Sequence, residues 1–215
     1  MTDSVTESLT DGGVAEVRTR TDRRRERTRG KLTDATRELI AEKGVAGLRI
    51  QEITERADVA LGSFYNHFDS KEAVVEAVIA ESLQGITETL AAAPLEDAAE
   101  LVSIAVRRFV GLAYSDPEFA SLVVHLNHAD ALFGVAVHPA ARIAVQRGIA
   151  EDRFDVPDLE VAVTAILGGA LAVMRAIVDG RLGKNAERNY AEAALRSLGV
   201  PPTDAAEVVR RPLTD

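Results

Sequence analysis

Apolar side chains return every third or fourth position along most of this chain, the spacing of helices that bury one face. Leu32, Ala35, Thr36, Leu39 and Ile40 share one face of a first helix, which Gly44 ends by accepting a left-handed backbone. Ile50, Ile53 and Ala57 define a short second helix over 49–57, interrupted by Asp58-Val59. A third short helix is predicted within 60–68, with Phe64 and Phe68 one turn apart and facing inward. Asp69 caps a fourth, with Glu72 three residues on as in a capping box, and this helix stops before Pro94. Five more follow, at about 95–114, 118–127, 139–152, 158–178 and 185–198, the segment 128–138 reading as a loop or a short helix. No strand pattern and no internal repeat appears. The predicted fold is all-α, with about nine helices.

The same pattern divides the chain. Residues 1–22 lack periodic apolar positions and contain Gly12-Gly13, so a disordered tail is expected there, continuing as a basic arm to about residue 31. Residues 23–71 form a three-helix unit, 72–198 a larger helical domain, and 199–215 a tail behind Gly199 and Pro201-Pro202. A greasy run without charges spans 161–174, which is 14 residues. A membrane span needs about 20. The polar, acidic N-terminus lacks the apolar core of a secretory signal, so a cytoplasmic protein without a membrane partner is expected. The absence of cysteine removes disulfides and thiolate metal sites.

Charge changes the picture more than composition does. The chain carries a net charge of −9, which argues against a general nucleic-acid binder. Yet residues 18–31 hold eight bases (Arg18, Arg20, Arg23, Arg24, Arg25, Arg27, Arg29, Lys31) against Asp22 and Glu26. From Ala73 onward there are 12 bases and 20 acids. Positive charge is therefore gathered in one arm, directly ahead of the short helices.

Those short helices, with a tight turn over 57–59, have helix-turn-helix spacing, in which the second helix of the pair (60–68) enters the major groove of DNA. Gly62, Ser63, Tyr65, Asn66 and His67 form helices poorly but display small or hydrogen-bonding groups. Gly62 permits close backbone approach, Asn66 can bond a base edge, and Tyr65 and His67 can donate to phosphates.

The stretch RGKLTDATRELIAEKGVAGLRIQEITERADVALGSFYNHFDSKEAV resembles the DNA-binding segment of TetR-type transcriptional repressors over about 45 residues. The matches are Glu42-Lys43-Gly44, Ile53, Ala57, Val59, Gly62, Tyr65, His67, Phe68, Lys71 and Glu72. Leu48 and Ala60 stand where the family usually places a capping Thr and a capping Ser. Thr54 and Asp58 replace a small Ala and a Gly. The resemblance implies that Leu61, Gly62, Ser63 and Asn66 face bases, while Tyr65, His67 and Lys71 meet phosphate. Arg24 and Arg25 of the arm, and Arg49 at the start of the second helix, are further DNA-binding candidates.

A reader of one short helix needs a second copy for affinity and a palindromic site. The nearly all-apolar helix 158–178 and the helix 185–198 offer the dimer surface, through Val163, Leu167, Gly168, Leu171, Ala194 and Leu198, with Gly168-Gly169-Ala170 allowing close approach. The resemblance implies that these helices pair into a four-helix bundle and that the middle helices enclose an effector. Phe109, Tyr114, His125, His128, Phe133 and Met174 are candidate pocket residues because they are large, sparse and in the right segments. His125 and His128, with Asp130 near, lack a third metal ligand at fixed spacing, so no metal and no cofactor is expected. No nucleophile–base pair or phosphate loop supports an enzyme. The reading is a homodimeric repressor that binds a double-stranded palindromic operator and is released by a small-molecule effector; the alternatives are an activator of the same fold, a helical enzyme or a protein-interaction module.

Overall fold

In a computed structural model, residues 20–92, 96–126 and 134–213 are described, and among them the chain is helical with no strand. His128 and Phe133 lie outside the described residues. The chain forms two compact units, Met1–Lys71 and Glu72–Asp215.

In the first unit α1 (Arg20–Lys43) packs on α2 (Ile50–Ala57), which meets α3 (Leu61–Phe64). The helix α1 starts well before Leu32, because the basic arm is itself helical. Arginine is a good helix former, and an exposed first half needs no apolar periodicity, so the pattern of buried positions could not reveal it. Buried Leu32, Leu39, Ile53, Phe64 and Phe68 make the small core. Leu48 is also buried there, one residue ahead of the α2 N-cap Arg49, while Ile53 is four into the helix. That is the placing of a hydrophobic staple, which fixes the helix entry without a hydroxyl cap.

The motif Glu42-Lys43-Gly44 acquires a physical reason. Arg56 of α2 reaches Glu42 through both guanidinium ends at 2.9 and 3.0 Å, and Glu38 at 3.0 Å. Lys43 Nζ donates to Glu52 at 2.5 Å. Gly44 closes α1 at φ +70°, its N–H on the Ile40 carbonyl at 2.8 Å. Between α2 and α3 the left-handed residue is Asp58, at φ 53° and ψ 55°. Aspartate tolerates that conformation better than most residues, at a cost glycine avoids.

In the second unit α5 (Ala98–Ser115) is central. It packs against α6 (Pro117–His125), α7 (His138–Ala150), α8 (Leu159–Val178), α9 (Ala186–Ser197) and α10 (Pro202–Val208). Aspartates cap three of these helices: Asp97 accepts from the Ala99 N–H, Asp116 from Phe119 and Asp158 from Val161. The predicted tail 199–215 is instead a packed element, with Val200, Ala205, Val208 and Val209 buried. Arg211 pairs with Glu100 at 2.7 Å, and Arg153 with Asp97 and Asp204. Two prolines mark where that element begins rather than where structure ends, since proline suits the first turn of a helix. By length and composition α8 could cross a membrane; it is packed by α5, α6, α7 and α9 of its own unit. α4 (Lys71–Ala92) opens at Lys71 and continues through the start of the second unit.

Candidate nucleic-acid interface and ligand cavity

α3 is a single hydrogen-bonded turn, continued by tight turns in which the N–H groups of His67 and Phe68 both reach the Phe64 carbonyl at 2.9 Å. Phe64 is fully buried and meets Tyr65 edge-on at 5.4 Å and Phe68 at 5.7 Å. Anchored so, the segment turns its other side chains outward: Leu61 is 50% and Tyr65 54% exposed. Gly62 and Asn66 are exposed, Ser63, His67 and Lys71 half-buried, and Arg49 is exposed at the start of α2. A Cβ at Gly62 would meet nothing within 4 Å and its φ is not left-handed, so neither packing nor backbone demands glycine there. Ala60 is the α3 N-cap and offers no side-chain bond.

The helical arm presents arginine on two faces. Arg20, Arg23, Arg24, Arg27 and Lys31 follow helical spacing along a groove whose far side is Asp58, Val59, Ala60 and Ser63. Arg25 and Arg29 border a second recess with His67. Arg24 and Arg25 thus belong to different surfaces. The Arg29 guanidinium lies 4.4 Å over the Phe68 ring, a cation–π contact that ties arm to core. Burial pushes the His67 imidazole below its ordinary 6.5, and the charges of Arg25 and Arg29 push the same way. Within the arm, sequence alone did not single out Arg20, Arg23, Arg27 and Lys31 as a row along one groove; their spacing of three and four was the available signal.

The second unit holds a cavity of about 250 Å³ lined by α4, α5, α7 and α8. Its wall is hydrocarbon, for example Val102, Ala105 and Phe109 of α5, Ala144 of α7 and Ile166 of α8, apart from Thr87 and Arg147. Of the predicted pocket residues Phe109 lines this cavity. Met174 is fully buried in core elsewhere. Tyr114 is 40% exposed and donates to the Gly183 carbonyl at 2.6 Å. His125 is exposed at the end of α6, its Nδ1 2.8 Å from the Ser121 carbonyl one turn back. Size and rarity were poor guides because the wall is built of alanine and valine, which carry no signal distinct from core.

Four of the expected dimer-surface residues lie within the fold of the single chain. Val163, Leu171, Ala194 and Leu198 are buried there, Val163 also against the cavity. Leu167 lines the cavity, half-buried. A Cβ on Gly169 would lie 2.2 Å from the Tyr190 hydroxyl, so that glycine is used by the same chain; Ala170 is buried. The Tyr190 hydroxyl donates to the Ile166 carbonyl at 2.6 Å, and burial pushes its pKa up to about 12. What α8 leaves exposed is Val161, Thr164, Ala165, Gly168 and Ala172, with Glu160 and Arg175 near its two ends.

Comparison with known proteins agrees with this two-part organisation. Residues 32–78 match the family described as bacterial regulatory proteins, tetR family, and residues 97–211 match the tetracyclin repressor-like C-terminal domain. The chain belongs to the TetR family of bacterial transcriptional regulators. It is 40% identical over 67 residues to the HTH-type transcriptional repressor DhaR of Mycobacterium sp. strain GP1, covering 31% of this chain and 33% of DhaR. It is 27% identical over 103 residues to the repressor KstR2 of Rhodococcus jostii strain RHA1, covering 46% of this chain and 50% of KstR2. The chain thus spans a third to a half of the length of these curated relatives. Among solved structures, RolR in complex with its ligand resorcinol aligns with a TM-score of 0.79 at 30% identity, over 90% of this chain and 98% of RolR. RolR without ligand aligns at 0.76 and 29% identity, over 86% of this chain and 98% of RolR.

Proposed function

We propose that this protein is a homodimeric, cytoplasmic transcriptional repressor that binds a palindromic operator and is released by a small phenol-like effector held in the second unit. The observation that carries the DNA reading is the outward row on α3: Leu61 and Tyr65 half in solvent beside a Gly62 that nothing internal requires. In this reading Leu61, Gly62, Ser63 and Asn66 meet base edges, Leu61 supplying apolar contact suited to a thymine methyl. Tyr65, His67, Lys71 and Arg49 take phosphates, and the two arginine faces of α1 follow the backbone on either side. The exposed α8 stripe, with Val161 67% exposed and small residues behind it, is the proposed dimer face.

The effector reading rests on the cavity. Its volume and hydrocarbon wall suit one ring rather than a long chain, and RolR, 30% identical, is known bound to resorcinol. A ligand that prefers a dimer whose recognition helices are spread or rotated drains the population able to span both half-sites. α4 is the proposed lever, since one helix carries Lys71 at its start and Thr87 on the cavity wall.

An electrophoretic mobility assay on the DNA upstream of the protein's own gene tests the repressor reading. Specific, salt-sensitive binding is expected, with Tyr65→Ala weakening it about tenfold or more. Binding that is absent, or indifferent to Tyr65→Ala, overturns it. Sedimentation of Gly168→Glu tests the dimer face; a variant that stays dimeric moves the interface elsewhere.

A further inference from the structure

We infer that Thr87 reads the effector by accepting a hydrogen bond from a ligand hydroxyl, so that the effector is a neutral ring carrying an O–H donor. This rests on the cavity being the effector site.

Among the described residues that wall the cavity, all but Thr87 and Arg147 are hydrocarbon. Thr87 is buried, and its hydroxyl proton is already committed, donated to the Gln84 carbonyl at 2.8 Å one turn back along α4. A threonine oxygen whose proton is spent retains lone pairs and can only accept. Arg147, a donor, has acceptors of its own: its Nε donates to Glu151 at 2.7 Å and its Nη2 to the Glu96 carbonyl at 2.6 Å. Thr87 is thus the acceptor that this wall offers to a ligand donor. A phenolic O–H satisfies it. An ether or a carboxylate of the same size sets lone pair against lone pair beside a wall that is otherwise hydrocarbon.

The position of Thr87 also links recognition to response. Lys71, assigned above to phosphate, opens the same helix sixteen residues earlier. A hydrogen bond made at Thr87 acts on α4 directly, whereas a purely apolar ligand fills space and engages each wall alike.

Calorimetric titration of the full-length chain with phenol, anisole and benzoate tests this, run on the native protein, Thr87→Val and Thr87→Ser, alongside operator binding of each. Valine keeps the shape of threonine and removes the acceptor; serine keeps the acceptor. The native protein and the serine variant are expected to prefer phenol to anisole by about tenfold, or about 1.4 kcal/mol. The valine variant is expected to lose that preference, and phenol is expected to release native protein from DNA but not the valine variant. A valine variant that still discriminates places the reading group elsewhere and overturns the inference, as does a native protein that binds anisole or benzoate as tightly as phenol. If no ring binds while operator binding persists, the effector assignment falls and the repressor stands. If phenol discrimination is found without operator binding, the reverse holds.

Discussion

α3 and α8 are both helices whose residues look wrong for their place, and they resolve in opposite directions. α3 and the tight turns after it carry glycine, tyrosine, leucine and asparagine outward, held down by Phe64 and Phe68. α8 carries an almost unbroken apolar sequence, and most of it turns inward, onto α5, α6, α7, α9 and the cavity. Each ends up with one glycine that internal packing does not require, Gly62 and Gly168, and a neighbour that is fixed from within, Phe64 and Gly169. A surface made to be read by another molecule demands particular chemistry at particular positions. A cavity wall demands volume, which alanine, valine and leucine supply in many combinations.

The sharpest way to break this contrast is to overfill the inward region. A Cβ on Gly148 would stand 2.1 Å from the Phe154 ring, and the clash extends to ring Cγ at 2.8 Å, so the ring cannot simply swing aside. Gly148→Ala is expected to destabilise the second unit by about 3 kcal/mol in thermal or denaturant unfolding. An unchanged melting temperature would show that the α7 end can relax.

The outward region should respond through affinity, with folding little affected. Replacing Arg20, Arg23, Arg24 and Arg27 by Ala removes charges that line an exposed groove. Operator affinity near physiological salt is expected to fall by about tenfold to a hundredfold. The slope of log K against log salt should shrink by about 0.9 for each phosphate that the arm no longer neutralises. An unaltered slope would leave the arm in solvent.

A smaller effect belongs to His67. Its folded pKa lies below the ordinary 6.5, so between those two values the unfolded chain binds more protons and stability falls as pH drops. A phosphate beside the imidazole reverses the preference and raises that pKa, so DNA binding takes up a proton. Operator affinity should then rise severalfold as pH falls from about 7.5 toward 6, and His67→Gln should flatten the profile. A native profile already flat would remove His67 from the phosphate ligands.

The smallest change tests the turn itself. Asp58→Gly relieves a left-handed aspartate at φ 53° but adds freedom to the unfolded chain, so stability is expected to change by no more than about 1 kcal/mol, toward greater stability. It also removes a carboxylate from the basic groove, which should tighten DNA binding slightly at low salt. A clear loss of stability would mean that the Asp58 side chain itself supports the turn.

How much of this was readable in the sequence follows the same division. Helix ends announced themselves through local chemistry: Gly44 and Asp158 act on the backbone within a turn of their own position. The helix-turn-helix was legible because Phe64 and Phe68 had to be inside while Tyr65, a third of a turn away, had to be out. The helical arm and α10 escaped, the first because a charged helix needs no buried period, the second because Pro201-Pro202 looked like an ending when it was a beginning. The cavity escaped almost entirely. Thr87, Ala105, Ala144 and Arg147 lie on three helices far apart in the chain, and none is unusual for the helix it occupies.

By itself the sequence determined the helical class, the anchored turn of α3, the concentration of arginine ahead of it, and the side chains proposed for DNA. Those depend on periodicity, caps and residue chemistry that act within a few residues. The tertiary structure alone decided which apolar residues are spent in the core, that Tyr190 packs on Gly169, and that two polar residues line an otherwise hydrocarbon cavity. Those depend on which helices pack together and what volume remains between them, and non-local packing leaves no mark on any one stretch of chain.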